Sequence, residues 1–292
     1  MKETEETRGR VINWYPGHMT AAKRMMEENL KLVDVIVEVR DARIPFASGN
    51  PDIGKMNKPR LILLNKADLA DPNKTKRWQA AFADAGIPAL AITAKARQTE
   101  ILPFINKICA EKTEYLAQKG VTRHPRALVA GIPNVGKSTL INTLSGGQKT
   151  KTGDKPGVTR GKQWIKTPQV DFLDSPGLLW PRLENQVGAR YLAFTGAVND
   201  EILDQEELAL ALIETLNRLY PSALADRYGI TAGEKAIDDY EAICQKRGYL
   251  LKNHEFDYAR GARVILDEFR AGTLGRMTLE VPDGLLNGTS AP

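Results

Sequence analysis

The stretch Gly131-Ile132-Pro133-Asn134-Val135-Gly136-Lys137-Ser138 decides how this chain is read. It fits the phosphate-binding pattern G-x-x-x-x-G-K-[ST] in full. The apolar run Ala127-Leu128-Val129-Ala130 before it reads as a buried strand, and Lys137 to Leu144 after it reads as a helix. Strand, glycine loop and helix N-terminus together turn backbone N–H groups towards a phosphate chain. Asn134, Val135, Gly136, Lys137, Ser138 and Thr139 are therefore the expected phosphate-binding set. Lys137 is expected to reach the β/γ-phosphates and the Ser138 hydroxyl to ligate Mg²⁺. The pattern specifies a nucleoside triphosphate but no particular base.

Around this loop the chain has 292 residues, enough for about two domains each with its own core. Hydrophobic residues make up 42% and charged ones 26%, as in ordinary water-soluble globular chains. The cysteines, Cys109 and Cys244, lack metal-ligand spacing and read as reduced thiols. The charged start Met1 to Arg10 is unlike a signal peptide, and no apolar run approaches membrane-spanning length, so the expected location is cytoplasmic. Net charge is +5 but unevenly spread: from Asn199 onward there are 10 Lys and Arg against 17 Asp and Glu. The preceding residues carry 31 against 19, which fits either a polyanionic partner or a solvated basic surface.

Short apolar runs alternate with helical patterns. Val35–Val39, Leu61–Leu64, Ala89–Ile92, Ala127–Ala130 and Val170–Leu173 read as strands, with helices near Met19–Val33, around Trp78 and Phe82, and over Thr99–Lys119. The expected fold is α/β: a mostly parallel sheet with helices on both faces. Ser145 to Lys166 is polar and basic and reads as a mobile loop. Beyond Asn199 the pattern turns all-helical, with candidates at Glu201–Tyr220, Ala232–Arg247 and Asp257–Arg270. The expected organisation is a tail over 1–10, a nucleotide-binding domain over 11–198, a helical domain over 199–283 and a second tail over 284–292.

Further signals sit where predicted strands end, which is where open α/β sheets bind ligands. Asn65-Lys66-Ala67-Asp68 is N-K-x-D. The Asp68 carboxylate can accept from both N1–H and the exocyclic N2–H of guanine, a pairing adenine does not offer. Asn65 would brace this loop and the Lys66 stem would cover the base. Thr93-Ala94-Lys95 is similar to the S-A-K loop that meets guanine O6. Asp174, in D-S-P-G, stands to hold Mg²⁺ through water, and the Gly177 N–H to meet the γ-phosphate. Thr159, in P-G-V-T, is the candidate switch threonine that closes on Mg²⁺. In most guanine-nucleotide enzymes the phosphate loops precede the guanine loops, whereas here the guanine loops come first. That order is a circular permutation, which can leave strand neighbours unchanged. It also makes the chain after Gly177 lead into the helical region. The expectation is that GTP orders Thr159 and Gly177 and so sets the angle of that region.

With W-Y-P-G-H-M at Trp14–Met19, D-A-R-I-P at Asp41–Pro45 and the motifs above, the whole chain resembles the family of circularly permuted ribosome-assembly GTPases. The resemblance implies GTP hydrolysis in late assembly of the large ribosomal subunit. It also implies a helical C-terminal domain that contacts ribosomal RNA. Leu178 follows D-x-x-G where many GTPases place a water-orienting Gln, so hydrolysis is expected to be slow alone and stimulated by the ribosome. Lys137 and Thr159 are the expected catalytic residues within the phosphate loops. The resemblance adds His18 as a catalytic group; the other reading is that His18 packs the N-terminal helix or touches RNA. Asn134 resembles the potassium-binding Asn of K⁺-stimulated GTPases, or simply fits its loop. RNA contacts are expected from the basic loop Lys149–Lys166, including Lys162 and Trp164, and from Lys246–Arg276, including Arg260, Arg263 and Arg270; the alternative is solvated ion-pairing faces. The expected role is a monomeric switch that binds the subunit precursor in its GTP state and leaves after hydrolysis. The alternative is an RNA-binding factor that uses GTP only as a sensor. An RNA-modifying enzyme is disfavoured by the lack of a second catalytic constellation, and a membrane-remodelling GTPase by the lack of an anchor.

Overall fold

The computed structural model describes residues 27–145, 163–174, 186–198 and 203–282. His18, Thr159, Lys162, Gly177 and both expected tails lie outside the described residues. The strands are β1 (Val35–Asp41), β2 (Arg60–Asn65), β3 (Ala89–Ala91), β4 (Arg126–Gly131), β5 (Gln163–Lys166) and β6 (Asp171–Asp174). They form one sheet in the order β3-β2-β1-β4-β6-β5. All neighbours are parallel except β5 and β6, which pair antiparallel.

Alternation along the strands builds both faces. Val35, Val37 and Val39 of β1 join Leu61, Leu63, Ala127 and Val129 in one cluster. Ile36, Leu128, Ala130 and Leu173 point to the other side, as do Ile62 and Leu64. Such runs, apolar on both faces, are what a covered parallel sheet requires. Helix α1 (Pro51–Gly54) contributes Ile53 to the second side, and α2 (Pro72–Asp84) contributes Trp78 and Phe82. Helices α3 (Gln98–Gln118) and α4 (Lys137–Leu144) cover the first side with Ile101, Ile105, Leu140 and Ile141.

The helical region comprises α5 (Gln186–Phe194), α6 (Gln205–Leu219), α7 (Ala223–Tyr228), α8 (Ala236–Arg247) and α9 (Tyr258–Ala271). On α6, Leu208, Ala209, Leu212, Ile213 and Leu216 make one buried stripe at helical spacing; on α9 it is Ala262, Ile265, Leu266 and Phe269. The two stripes pack together, and their cluster continues without a break into the first face of the sheet.

Four details depart from the sequence reading, and the first is α5, which lies before Asn199, where the helical pattern was expected to begin. Gln163–Lys166, expected as the end of a mobile loop, is strand β5. Flanking lysines hid its alternation: Ile165 is buried on the sheet, while Trp164 packs against the Ile36 cluster and under the Arg126 guanidinium at 5.4 Å. The expected RNA contact Trp164 is thus half-buried in the fold. The predicted start of α8 at Ala232 slips to Ala236, because the Asp239 carboxylate takes the Gly233 N–H and the Asp238 carboxylate takes the Lys235 N–H. The short helices α1 and α7 were too brief to show a period.

Candidate functional site

The C-terminal ends of β4, β2 and β3 bring the expected nucleotide loops together. β4 ends at Gly131, whose neighbour in register is Val39 of β1. A Cβ on Gly131 would collide with the Val39 carbonyl oxygen, so only glycine lets the loop leave the sheet there. Gly136 has φ 97°, a left-handed conformation, and stands at the N-cap of α4. A Cβ on it would strike the Asn65 amide. Both glycines of the pattern are therefore required by close backbone approach.

Asn65 ends β2 and is buried. Its Nδ2 donates to the Val135 carbonyl at 2.8 Å, which ties the expected guanine loop to the phosphate loop. Its Oδ1 is buried without a hydrogen-bond partner among the described residues. A buried acceptor of this kind is normally satisfied, so this one suits a bound ligand or its water. Lys66 follows at φ 59°, a rare conformation for a side chain with a Cβ, and its ammonium pairs with the Asp41 carboxylate at 3.1 Å. The Ala67 N–H donates to the Ile92 carbonyl at 3.0 Å, joining this loop to Thr93-Ala94-Lys95. There the Lys95 N–H donates to Thr93 Oγ1, and Asp68 is exposed.

Lys137 is buried and its ammonium donates to the Ile132 carbonyl at 2.7 Å. Burial pushes this amine down to about 8, opposed by the negative charge of Asp174. Asp174 is itself buried at the end of β6, in register with Val129 of β4. Ser138 and Thr139 open helix α4, with their backbone at its positive end. Asn134 has φ 56°, and its Nδ2 donates to the Gly196 carbonyl at 2.8 Å, which leaves its side-chain oxygen as the atom able to meet a cation.

Among the expected RNA contacts, Arg260 and Arg263 are exposed on α9, and Arg260 lies over the Tyr249 ring at 4.8 Å. Arg270 is engaged within the chain. Its Nε donates to the Phe194 carbonyl and its Nη2 to the Ala193 carbonyl, capping the C-terminus of α5.

Several residues at this end of the molecule escaped the sequence reading. Asp41 holds Arg43 through two bonds, from Nε at 3.0 Å and from Nη2 at 2.8 Å, as well as Lys66. Burial alone would raise the Asp41 carboxyl, but the charges of Arg43 and Lys66 hold it well below the usual carboxylate range. The available signal was D-A-R at the end of a predicted strand, the position shared by the other loops.

Comparison with known proteins bears on this geometry. Residues 126–246 match the family described as 50S ribosome-binding GTPase, a match that starts at the strand feeding the phosphate loop. Ribosome biogenesis GTPase A of Bacillus cereus is 44% identical over 280 residues, covering 94% of this chain and 95% of that protein. The protein of the same name from Thermotoga maritima is 32% identical, covering 94% of this chain and 96% of its own length. Mitochondrial ribosome-associated GTPase 1 of Mus musculus is 32% identical over 92% of this chain and 90% of its own length. The crystal structure of GNP-bound YlqF from T. maritima matches with a TM-score of 0.65 at 29% identity, over 90% of this chain and 99% of that one.

Proposed function

From its membership in the ribosome biogenesis GTPase A family, we propose that this chain is a ribosome-gated GTPase whose nucleotide state controls its hold on a large-subunit precursor. It hydrolyses GTP, and its role lies in ribosome assembly. The observation that carries the finer reading is the Asn65–Val135 hydrogen bond. It locks a guanine-reading loop to a phosphate loop across the permuted order.

In this reading Asp68 accepts from the guanine N1–H and N2–H, Lys66 covers the base and the Thr93–Lys95 loop meets O6. Lys137 leaves the Ile132 carbonyl for the β/γ-phosphates, whose charge favours its protonated form. Backbone N–H groups from Val135 to Thr139 donate to the phosphate oxygens and stabilise charge that grows as water attacks the γ-phosphate. Ser138 and Asp174 offer hard oxygen donors of the kind Mg²⁺ takes, and they would hold it, with Thr159 completing the set. Mg²⁺ held there would supply charge neutralisation to the phosphate chain. Asn134 Oδ1 is the candidate ligand for K⁺. His18 is the proposed catalytic group and Gly177 the proposed γ-phosphate sensor. Arg260 and Arg263, exposed on one helix, are the proposed contacts to ribosomal RNA together with Lys162. The working form is a cytoplasmic monomer.

The test is GTP turnover by the purified protein in KCl or NaCl, with and without large ribosomal subunits. Strong stimulation by subunits, larger in KCl, supports the reading. Subunit stimulation that is equal in the two salts removes the K⁺ site. Tight GTP binding without any stimulation removes ribosome gating. Replacing Arg260 and Arg263 by Glu together should weaken subunit association while leaving nucleotide affinity unchanged.

A further inference from the structure

After α9 the chain turns at Gly272 and Gly275 and runs back over the loops that follow β1 and β2. Residues 276–280 form a strap with bonds at every position. The Met277 N–H donates to the Leu69 carbonyl at 3.0 Å, and the Leu279 N–H to the Arg43 carbonyl at 2.8 Å. Thr278 Oγ1 donates to the Ala42 carbonyl and accepts from the Asp71 N–H, each at 3.1 Å. The Glu280 carboxylate accepts the N–H groups of Phe46 and Ala47, and its carbonyl accepts from Trp78 Nε1. The Tyr220 hydroxyl anchors the strap to α6 by accepting the Thr278 N–H at 2.8 Å.

At the head of the strap, Arg276 bonds the loop that follows β2. Its Nε donates to the Ala70 carbonyl at 3.0 Å and its Nη2 to the Ala67 carbonyl at 2.9 Å. These two carbonyls flank Asp68. Lys66, two residues before Asp68, is held by Asp41, which also holds Arg43. Arg43 Nη1 in turn donates to the Arg270 carbonyl at 3.3 Å, at the C-terminal end of α9. The loop carrying Asp68 is thus gripped on both sides by groups that belong to, or are tied to, the end of the helical region.

We propose that Arg276 is a positioning residue of the guanine pocket: the strap holds the Asp68 loop in its base-reading shape, so docking of the helical region governs how fast guanine nucleotide leaves. This rests on the reading of Asp68 as the guanine acceptor. A forked guanidinium bonding two carbonyls of one turn fixes the direction of the intervening peptide planes, and a single ammonium cannot. Releasing the strap frees the base end of the site and leaves the phosphate loop, which is built on β4 and α4, intact. Both GDP and GTP present the same base, so the strap reports occupancy of the pocket, while the γ-phosphate is sensed elsewhere.

The experiment uses the full chain loaded with fluorescent GDP. Dissociation is followed after a chase with excess GDP, and the affinities for GDP and inosine diphosphate are compared. Inosine lacks the exocyclic amine but keeps N1–H, so the ratio reports the N2–H half of the Asp68 contact. Arg276→Ala should speed GDP dissociation about tenfold and lower the preference for GDP over inosine diphosphate, with inosine diphosphate affinity falling less than GDP affinity. Arg276→Lys should fall between, and Thr278→Val should shift both readouts in the same direction. A folded Arg276→Ala protein with unaltered dissociation and an unaltered ratio overturns the proposal. If that variant does not fold, Arg276→Lys decides on the same two readouts. Asp68→Asn separates the two levels, because an amide there suits xanthine better than guanine. No shift towards xanthosine diphosphate sinks the reading of Asp68 itself, whereas a shift with a silent Arg276→Ala sinks only the role of the strap.

Discussion

Replacing Asn65 by Ala should weaken guanine-nucleotide binding while leaving global stability nearly unchanged. The substitution removes the Nδ2 bond to the Val135 carbonyl, a buried amide–carbonyl bond at 2.8 Å. Leaving the Val135 carbonyl buried and unpaired costs about 1–3 kcal/mol. The same substitution also removes Asn65 Oδ1, a buried acceptor without a partner among the described residues. Leaving such an acceptor unsatisfied costs about 1–3 kcal/mol. The two contributions oppose each other, so the unfolding free energy should move by less than about 2 kcal/mol. Nucleotide binding has no such offset, because the phosphate loop and the Asp68 loop lose the bond that sets their spacing. A loss of about 1.5–3 kcal/mol there weakens Kd roughly 10- to 100-fold. Urea unfolding and fluorescent-GDP titration measure the two quantities on one preparation. Asn65→Asp is the companion variant. It sets a carboxylate oxygen against the Val135 carbonyl and should harm both. An Asn65→Ala protein that loses more than about 2 kcal/mol of stability yet keeps its GDP affinity would refute this account of the bond.

Under the proposed phosphate contact, the Lys137 amine, pushed down to about 8 by burial, must be protonated. GDP affinity should therefore fall as pH rises through about 8, and Lys137→Ala should remove that limb from a titration of Kd between pH 6.5 and 9.5, ranges chosen to bracket about one unit or more on either side. At Asp34, burial would raise the carboxyl, but hydrogen bonds from Arg123 and Lys112 hold it well below the usual range. Its stabilisation is complete above the unfolded value of about 3.9 and is lost as pH falls through the lower folded value. Asp34→Asn should thus flatten the acid limb of Tm against pH and lower Tm at neutral pH. Gly261 on α9 faces Cys244 and Tyr240 on α8, and a Cβ there would come within 2.8 Å of Cys244 Sγ and 2.9 Å of the Tyr240 ring. Gly261→Ala should cost about 1–3 kcal/mol by overpacking despite its better helix propensity, read by urea unfolding; a stabilised variant would contradict that packing.

The sheet and the geometry of the candidate nucleotide loops were legible because their signals are local. A glycine loop between an apolar strand and a helix, and N-K-x-D after Leu61–Leu64, each specify their own geometry within a few residues. The permuted order was legible for the same reason, and the parallel pairing of β4 with both β1 and β6 accords with it. The bonds between loops were not legible. Nothing near Asn65 indicates that its amide meets Val135, and nothing near Arg276 indicates that it meets Ala67 and Ala70. Arg270 was read as an exposed cation because a sequence shows its charge and not the Phe194 and Ala193 carbonyls it caps. β5 was missed because four residues flanked by lysines carry too little alternation to stand out from a basic loop.

The permutation also explains why one helical region can touch both ends of the nucleotide site. The chain leaves the sheet at β6, beside the phosphate loop, and α5 remains there. Its following turn takes the Asn134 amide at Gly196, while Arg270 of α9 caps its last carbonyls. The chain then passes through α6 to α9 and returns at the opposite end, where Arg276 and Arg43 bracket the Asp68 loop. In an unpermuted order the guanine loops would follow β6 in the chain, and a covalent connection would already run between the two ends. Cutting the chain before β1 removes that connection. The helical region then replaces it with non-covalent contacts, worth about 1 kcal/mol for each net hydrogen bond. Contacts of that size are stable enough to order the loops, and weak enough for a macromolecular partner gripping α9 to shift them. A covalent linker would not offer that adjustability, and the fold therefore suits a GTPase whose nucleotide hold is set by what its helical region binds.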